Sequence, residues 1–156
     1  MNHIILKAVT PDHIDFLSLC SELDACLNLA IGGEHKREKY KKFNHLDTMD
    51  YVVLAYDGDR AVGCAALRNY SDEEVELKRV FVQDAYRGRG IGGALLAHLT
   101  DWAAEAGYRQ MILETGAFLA ASVHLYTRHG FQQTPNYGAY KDMPESLCMR
   151  RYINKK

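Results

Sequence analysis

Val80-Phe81-Val82 reads as the end of a strand. A five-residue link, Gln83 to Arg87, carries the chain into Gly88-Arg89-Gly90-Ile91-Gly92-Gly93 and then into an apolar-periodic helix. Ile91, Leu95, Leu99, Trp102 and Ala106 recur at helical spacing, Gly107 suits the position just past the helix end, and Met111-Ile112-Leu113 follows as a short apolar run. Strand, helix and buried strand in that order make one parallel crossover unit. Its first turn is also an anion cradle, because glycines let the backbone approach a ligand and the first helical amides have no intrahelical acceptor.

The elements around this unit decide the fold class. Residues 4–9 form a plausible first strand, and Thr10-Pro11-Asp12 has the chemistry of a helix start, a capping hydroxyl followed by proline. Ile14, Leu17, Cys20, Leu23 and Leu27 then mark the apolar face of a helix that Gly32-Gly33 interrupts. A charged second helix is expected over 34–43. Strands over 51–56 and 61–67 flank Asp57-Gly58-Asp59-Arg60, a hairpin signal, and Tyr70-Ser71-Asp72 is a further turn. In the strand over 75–82, simple alternation places Glu76 and Val80 on one face. A helix over 117–129 closed by Gly130, a strand from Phe131, a loop over 135–144 and a last strand over 146–152 complete the order. Together they predict a mixed α/β sheet in one domain spanning residues 1–156.

With 19 Lys and Arg against 20 Asp and Glu, the formal charge is -1, so phosphate affinity must be local and no nucleic-acid or membrane partner is expected. Cys20, Cys26, Cys64 and Cys148 have no zinc-type spacing, no metal set is expected from the histidines, and the cysteines read as reduced thiols of a cytoplasmic protein. No stretch approaches membrane-spanning length. The basic run Lys36-Arg37-Glu38-Lys39-Tyr40-Lys41-Lys42 reads as a solvated helix face.

The glycine run formally satisfies G-x-G-x-x-G, and Glu114 lies downstream at the distance of a ribose-binding acid. A dinucleotide site needs its first glycine immediately after the strand, however, and here five residues intervene. The same residues also read as Arg87-x-x-Gly90-x-Gly92, and further on stands Leu125-Tyr126-Thr127-Arg128-His129-Gly130-Phe131. In both motifs, in their order and spacing, and in its element order, the chain resembles the GNAT superfamily of acetyl-CoA-dependent N-acetyltransferases. The resemblance implies a central, mostly antiparallel sheet of six to seven strands with about four helices and one parallel crossover.

It also implies roles. Acetyl-CoA would be the cosubstrate, its pyrophosphate on the amides of Arg87, Gly88, Arg89, Gly90, Ile91, Gly92 and Gly93. Its pantetheine arm would lie along the main chain of Val80, Phe81 and Val82, with an amide near the thioester carbonyl. Where many members carry Asn and Ala ahead of the Leu-Tyr pair, this chain has Leu119 and Ser122, so a pantetheine contact is expected from Ser122 or Thr115 instead. Tyr126 is the candidate general acid and Glu76 the candidate base, with Glu114 its competitor and pairing with Lys78 or Arg68 the plainer reading of Glu76. The acceptor, an amine of a small molecule or peptide, is expected opposite the cofactor, near Asp24, Asn28, Glu34, Tyr40, Asn44, Tyr137 and Tyr140. Carboxylates there would suit a cationic amine. A non-catalytic acyl-CoA sensor is the alternative reading, and exposed sheet edges make a homodimer reasonable.

Overall fold

The computed structural model describes residues 3–32 and 45–153. The helix expected over 34–43, and with it Glu34, Tyr40 and Asn44, lies outside these residues. The described elements run β1 (Ile4–Val9), α1 (Ile14–Ile31), β2 (Tyr51–Asp57), β3 (Arg60–Asn69), β4 (Glu74–Val82), α2 (Ile91–Glu105), β5 (Gln110–Gly116), α3 (Ala120–Arg128), β6 (Gln132–Thr134) and β7 (Ser146–Tyr152). The strands form one seven-stranded sheet in the order β1-β2-β3-β4-β5-β7-β6. Every neighbouring pair is antiparallel except β4 and β5, which α2 joins as the expected crossover.

Apolar layers cover both sheet faces. On one, α1 packs Phe16, Leu19, Cys20 and Leu23 against Val52, Leu54, Cys64, Ala66 and Phe81. On the other, α2 packs Ile91, Leu95, Leu96, Leu99 and Ala103 against Val53, Ala65, Leu67, Val75, Leu77, Met111 and Leu113, and Tyr126 of α3 joins them. The alternation of β2 and β3 between the two layers is what their near-continuous apolar composition requires.

Local chemistry shifts several expected boundaries. The cap of α1 is His13, whose Nδ1 accepts the Asp15 N–H at 3.1 Å. Thr10 instead donates to Asp12, and its carbonyl accepts the His13 N–H, so Pro11 and Asp12 form a turn before the helix. The buried face holds Phe16 and Leu19 together with Cys20 and Leu23 of the expected stripe, whereas Ile14 is 77 % and Leu17 41 % exposed. Helix α3 begins at Ala120 rather than 117, because Gly116 to Leu119 first close a turn through the Leu119 N–H and the Gly116 carbonyl.

The consequential departure is in β4. Lys78 lies opposite Ala66 and Phe81 opposite Cys64, so Arg79 and Val80 together span the single position of Ala65. This is a β-bulge, and Arg79 adopts φ 58°, the one positive φ among the described non-glycine residues. The bulge inverts the alternation beyond it: Glu76 and Lys78 lie on the α1 face, whereas Val80 and Val82 pack toward α2. The expected common face for Glu76 and Val80 is therefore wrong. Pairing of β4 with β5 also stops at Glu76 and Ile112, although both strands continue, so a gap opens between them.

The register of α1 is testable by denaturant unfolding. Phe16→Ala is expected to destabilise by about 3–5 kcal/mol, as for a buried aromatic, and Ile14→Ala to stay within about 0.5 kcal/mol.

Candidate active site

The gap between β4 and β5 continues into a cleft of about 620 Å³. Its walls are the end of β4, the glycine turn, the start of α2, the first turns of α3 and the Leu23, Cys26, Leu27 and Ala30 side of α1. Of the residues expected to hold a cofactor, Val80, Phe81, Val82, Arg87, Gly88, Gly90, Ile91, Gly92, Gly93 and Ser122 all line it. Arg89 does not; its guanidinium lies over the Tyr86 ring, 4.9 Å from the centroid. Thr115 is buried outside the cleft, because its position on β5 shares the face of Met111 and Leu113.

The glycines of the turn answer to two different constraints. Gly88 and Gly90 have φ of 77° and 81° with open space where a Cβ would stand, so conformation alone selects glycine there. At Gly93 a Cβ would sit 2.8 Å from the His129 ring, and at Gly92 3.3 Å from Leu125, so these two let α3 close onto α2. Arg87 is fixed at the cleft edge. Its Nε donates to the Val82 carbonyl at 2.9 Å, and a guanidinium nitrogen lies 2.8 Å from Asp84. The Gln83 N–H donates back to Val62 on β3, so alternation turns the Val82 and Val80 amides to the opposite edge, toward the gap.

A second, polar cavity of about 70 Å³ lies against the same gap, lined by Glu76, Leu77, Lys78, Arg79, Val80, Glu114, Tyr126 and Tyr140. Val80 and Tyr126 border both spaces. Tyr126 is buried, with its ring edge-on to Phe131 at 5.9 Å. Burial, and secondarily the Glu114 carboxylate, push its phenol well above the ordinary value of 10, so it stays protonated. Burial raises Glu114 above its ordinary 4.5, an effect that a hydrogen bond from Ser146 and the charge of Lys78 temper.

Glu76 is only 2 % exposed and fully engaged: Arg68 donates to Oε1 at 2.8 Å, and the Tyr137 hydroxyl donates to Oε2 at 2.6 Å. Pairing with Arg68 is thus realised, in the interior. Burial, with the Glu76 charge next, raises the Tyr137 phenol strongly, and the Tyr140 phenol rises for the same causes. Lys78 donates to the Tyr140 hydroxyl at 3.4 Å. Asp24 faces Arg79, 2.9 Å away, and neither Asp24 nor Asn28 lines the cleft or the polar cavity. Asp24 is therefore paired with an arginine of the protein itself.

Three contributors escape a reading of the sequence. Lys78 and Arg79 stand in the middle of an apolar strand, and charges at that place were the available signal. Asn136 carries none beyond its neighbouring proline, yet its Nδ2 lies 3.1 Å from the carbonyls of Tyr140, Met143 and Ser146, which pins the loop bearing Tyr137 and Tyr140 over the site.

Residues 16–131 match the family model described as Acetyltransferase (GNAT) family. The IAA acetyltransferase of Azospirillum brasilense is 38% identical over 100 residues, which cover 64% of this chain and 65% of that protein. The streptothricin acetyltransferase of Streptomyces lavendulae is 32% identical over 85 residues, 54% of this chain and 45% of that one. The matched stretches thus span less than two thirds of these relatives. A crystal structure of a Klebsiella pneumoniae protein described as a putative acyl-CoA N-acyltransferase superposes with a TM-score of 0.81 at 25% identity, covering 97% of this chain and 99% of that one. A GNAT family acetyltransferase from Elizabethkingia anophelis, solved with acetyl-CoA bound, gives 0.71 at 21% identity over 98% of this chain and 100% of its own. Sheet topology, glycine turn and matched residues agree, and the chain belongs to the GNAT family of acetyltransferases.

Proposed function

We propose that this chain transfers the acetyl group of acetyl-CoA to a primary amine of a small molecule or peptide, by direct attack with both substrates bound. The observation that carries this reading is Tyr126, which walls the gap between β4 and β5 on both sides at once, toward the large cleft and toward the polar cavity. A donor in the cleft and an acceptor in the cavity would meet at that side chain.

The cleft fits the donor chemically. The backbone from Arg87 to Gly93 and the N-terminus of α2 offer amides to a pyrophosphate, while Leu27, Phe81 and Ile91 give an apolar wall beyond it. Bound there, acetyl-CoA supplies an acetyl thioester. Val80 or Val82 would donate its free N–H to the thioester oxygen, where a single donor contributes about 2.7–4 kcal/mol to acyl transfer. Glu114 would take the proton of the incoming amine, directly or through water. Tyr126 would protonate the sulfur as the carbon–sulfur bond breaks. Burial keeps the Tyr126 phenol protonated and so holds the proton it would give. Both Glu76 oxygens are held by Arg68 and Tyr137, which suits it to anchoring the loop of Tyr137 and Tyr140 rather than to exchanging protons.

The sensor alternative keeps binding and lacks turnover. Release of thiol from acetyl-CoA with a panel of amines separates the two, and thermal stabilisation by CoA but not NAD is expected; stabilisation by NAD alone sinks the reading.

Tyr126→Phe and Glu114→Gln are each expected to lower kcat by about 10²–10⁴-fold, the usual worth of a positioned acid or base, with little effect on the KM for acetyl-CoA. The base acts when ionised, so kcat should rise with pH through a limb above the ordinary carboxylate value, since burial raises Glu114. Loss of that limb in Glu114→Gln identifies the base, and its survival there points back to Glu76.

Gly90→Ala forces a methyl group into φ 81°. An expected cost of about 1–2 kcal/mol in stability should be read by thermal melting, together with a raised KM for acetyl-CoA. An unchanged KM would argue that this turn does not contact the donor.

A further inference from the structure

The polar cavity beside Tyr126 is lined by two cations, Lys78 and Arg79, together with the carboxylates of Glu76 and Glu114. Lys78, 7 % exposed, brings an ammonium with three protons. Among the described residues the charge of Glu114 acts on it, the Tyr140 hydroxyl lies 3.4 Å from it and Glu76 Oε1 3.8 Å. That same carboxylate oxygen already accepts from Arg68 at 2.8 Å. Burial outweighs these neighbours and lowers the pKa of Lys78, the mark of a cation with too little compensation.

Arg79 lines the same cavity. One of its terminal nitrogens is used by Asp24 and the Cys20 carbonyl, while its buried Nε finds no hydrogen-bond partner among the described residues. A buried donor without a partner is costly, and more so on a charged group. Lys78 and Arg79 are consecutive, and the bulge at Arg79 and Val80 keeps both on the α1 face, where strict alternation would have separated them. The strand is thus deformed in a way that concentrates positive charge at one wall of a small polar space.

On the reading of the chain as an acetyltransferase, the reacting nitrogen must come to the other wall, near Glu114 and Tyr126. We propose that the acceptor is a free α-amino acid, its carboxylate held chiefly by Lys78 within the positive potential of Arg79 and its amine presented to Glu114 and Tyr126. A cavity of about 70 Å³ is small, so an amine and a carboxylate held in it must stand close together in the acceptor, as they do on one carbon. A carboxylate brings the several lone pairs that the ammonium lacks. A peptide N-terminus has an amide carbonyl at that place, and a simple alkylamine has nothing there, so both leave the buried cation as it was.

The experiment uses the full chain, acetyl-CoA and matched acceptor sets: free α-amino acids with polar, apolar and aromatic side chains, the corresponding α-amino amides, and the corresponding decarboxylated amines. Thiol release and the mass of the acetylated product are followed. At least one amino acid should exceed both its partners in kcat/KM by about tenfold or more, the worth of a charge-assisted contact. Lys78→Met should bring that amino acid down to the level of its amide, mainly through its KM. Lys78→Arg should retain part of the preference. Equal turnover of amino acids, amides and decarboxylated amines by the unaltered protein overturns the proposal and leaves acetyl transfer standing. Absence of thiol release with every acceptor, while acetyl-CoA still raises the melting temperature, overturns the transferase reading and the proposal together. Persistence of the preference in a folded Lys78→Met variant overturns the assignment of the carboxylate to Lys78.

Discussion

The bulge at Arg79 is the constraint on which the site depends. A non-glycine residue at φ 58° costs on the order of 1–3 kcal/mol, so something must hold it there. The guanidinium binds the Cys20 carbonyl at 3.0 Å and Asp24 at 2.9 Å, and the Cys64 thiol donates to the Arg79 carbonyl at 3.2 Å. Helix α1 and strand β3 therefore clamp the deformed strand from both directions. Burial of Phe16, Leu19 and Leu23 under the sheet keeps α1 in place, which links the packing of the α1 core to the conformation of a residue at the edge of the cleft. Because β4 parts from β5 beyond Glu76, the main chain of Val80 and Val82 is left without a partner strand on its β5 edge, and Tyr126 borders the gap.

Legibility in the sequence follows from this. Elements set by local patterns were readable: β1, the hairpin around Gly58, the crossover helix α2 with its glycine turn, and β7. Helix α1 was readable from Cys20 onward but not in its first turns, since its start hangs on a histidine ring nitrogen in competition with a better-known Thr-Pro signal. The face-swap in β4 was not readable, because alternation carries no mark of an extra residue when both faces are buried and both sets of side chains tolerate the interior. The cofactor side of the site was legible wherever main chain and glycines do the work. It failed at Arg89 and Thr115, where only the direction of a side chain decides. On the expected acceptor side, Tyr140 lines the polar cavity, and Asp24 meets an arginine from a neighbouring element. Glu76 meets Arg68, the plainer of the two readings its sequence position allowed.

These internal pairs alter what the cavity does to an incoming amine. With Glu76 and Asp24 already compensated, desolvation becomes the dominant force on the remaining groups. It raises Glu114 and Tyr126 and lowers Lys78, in each case toward the neutral form. Lys78 is an amine at that space, and its pKa is lowered chiefly by burial. An alkylammonium in water holds its proton several units too tightly for a carboxylate to remove it efficiently. On the proposed reading an amine in this cavity would move down while Glu114 moves up, so the transfer between them would be less uphill from both ends without any strong base. Burial would thereby prepare the nucleophile as well as the acid. On that reading the small volume of the cavity and the loop pinned by Asn136 would belong to the chemistry as much as the titrating side chains do.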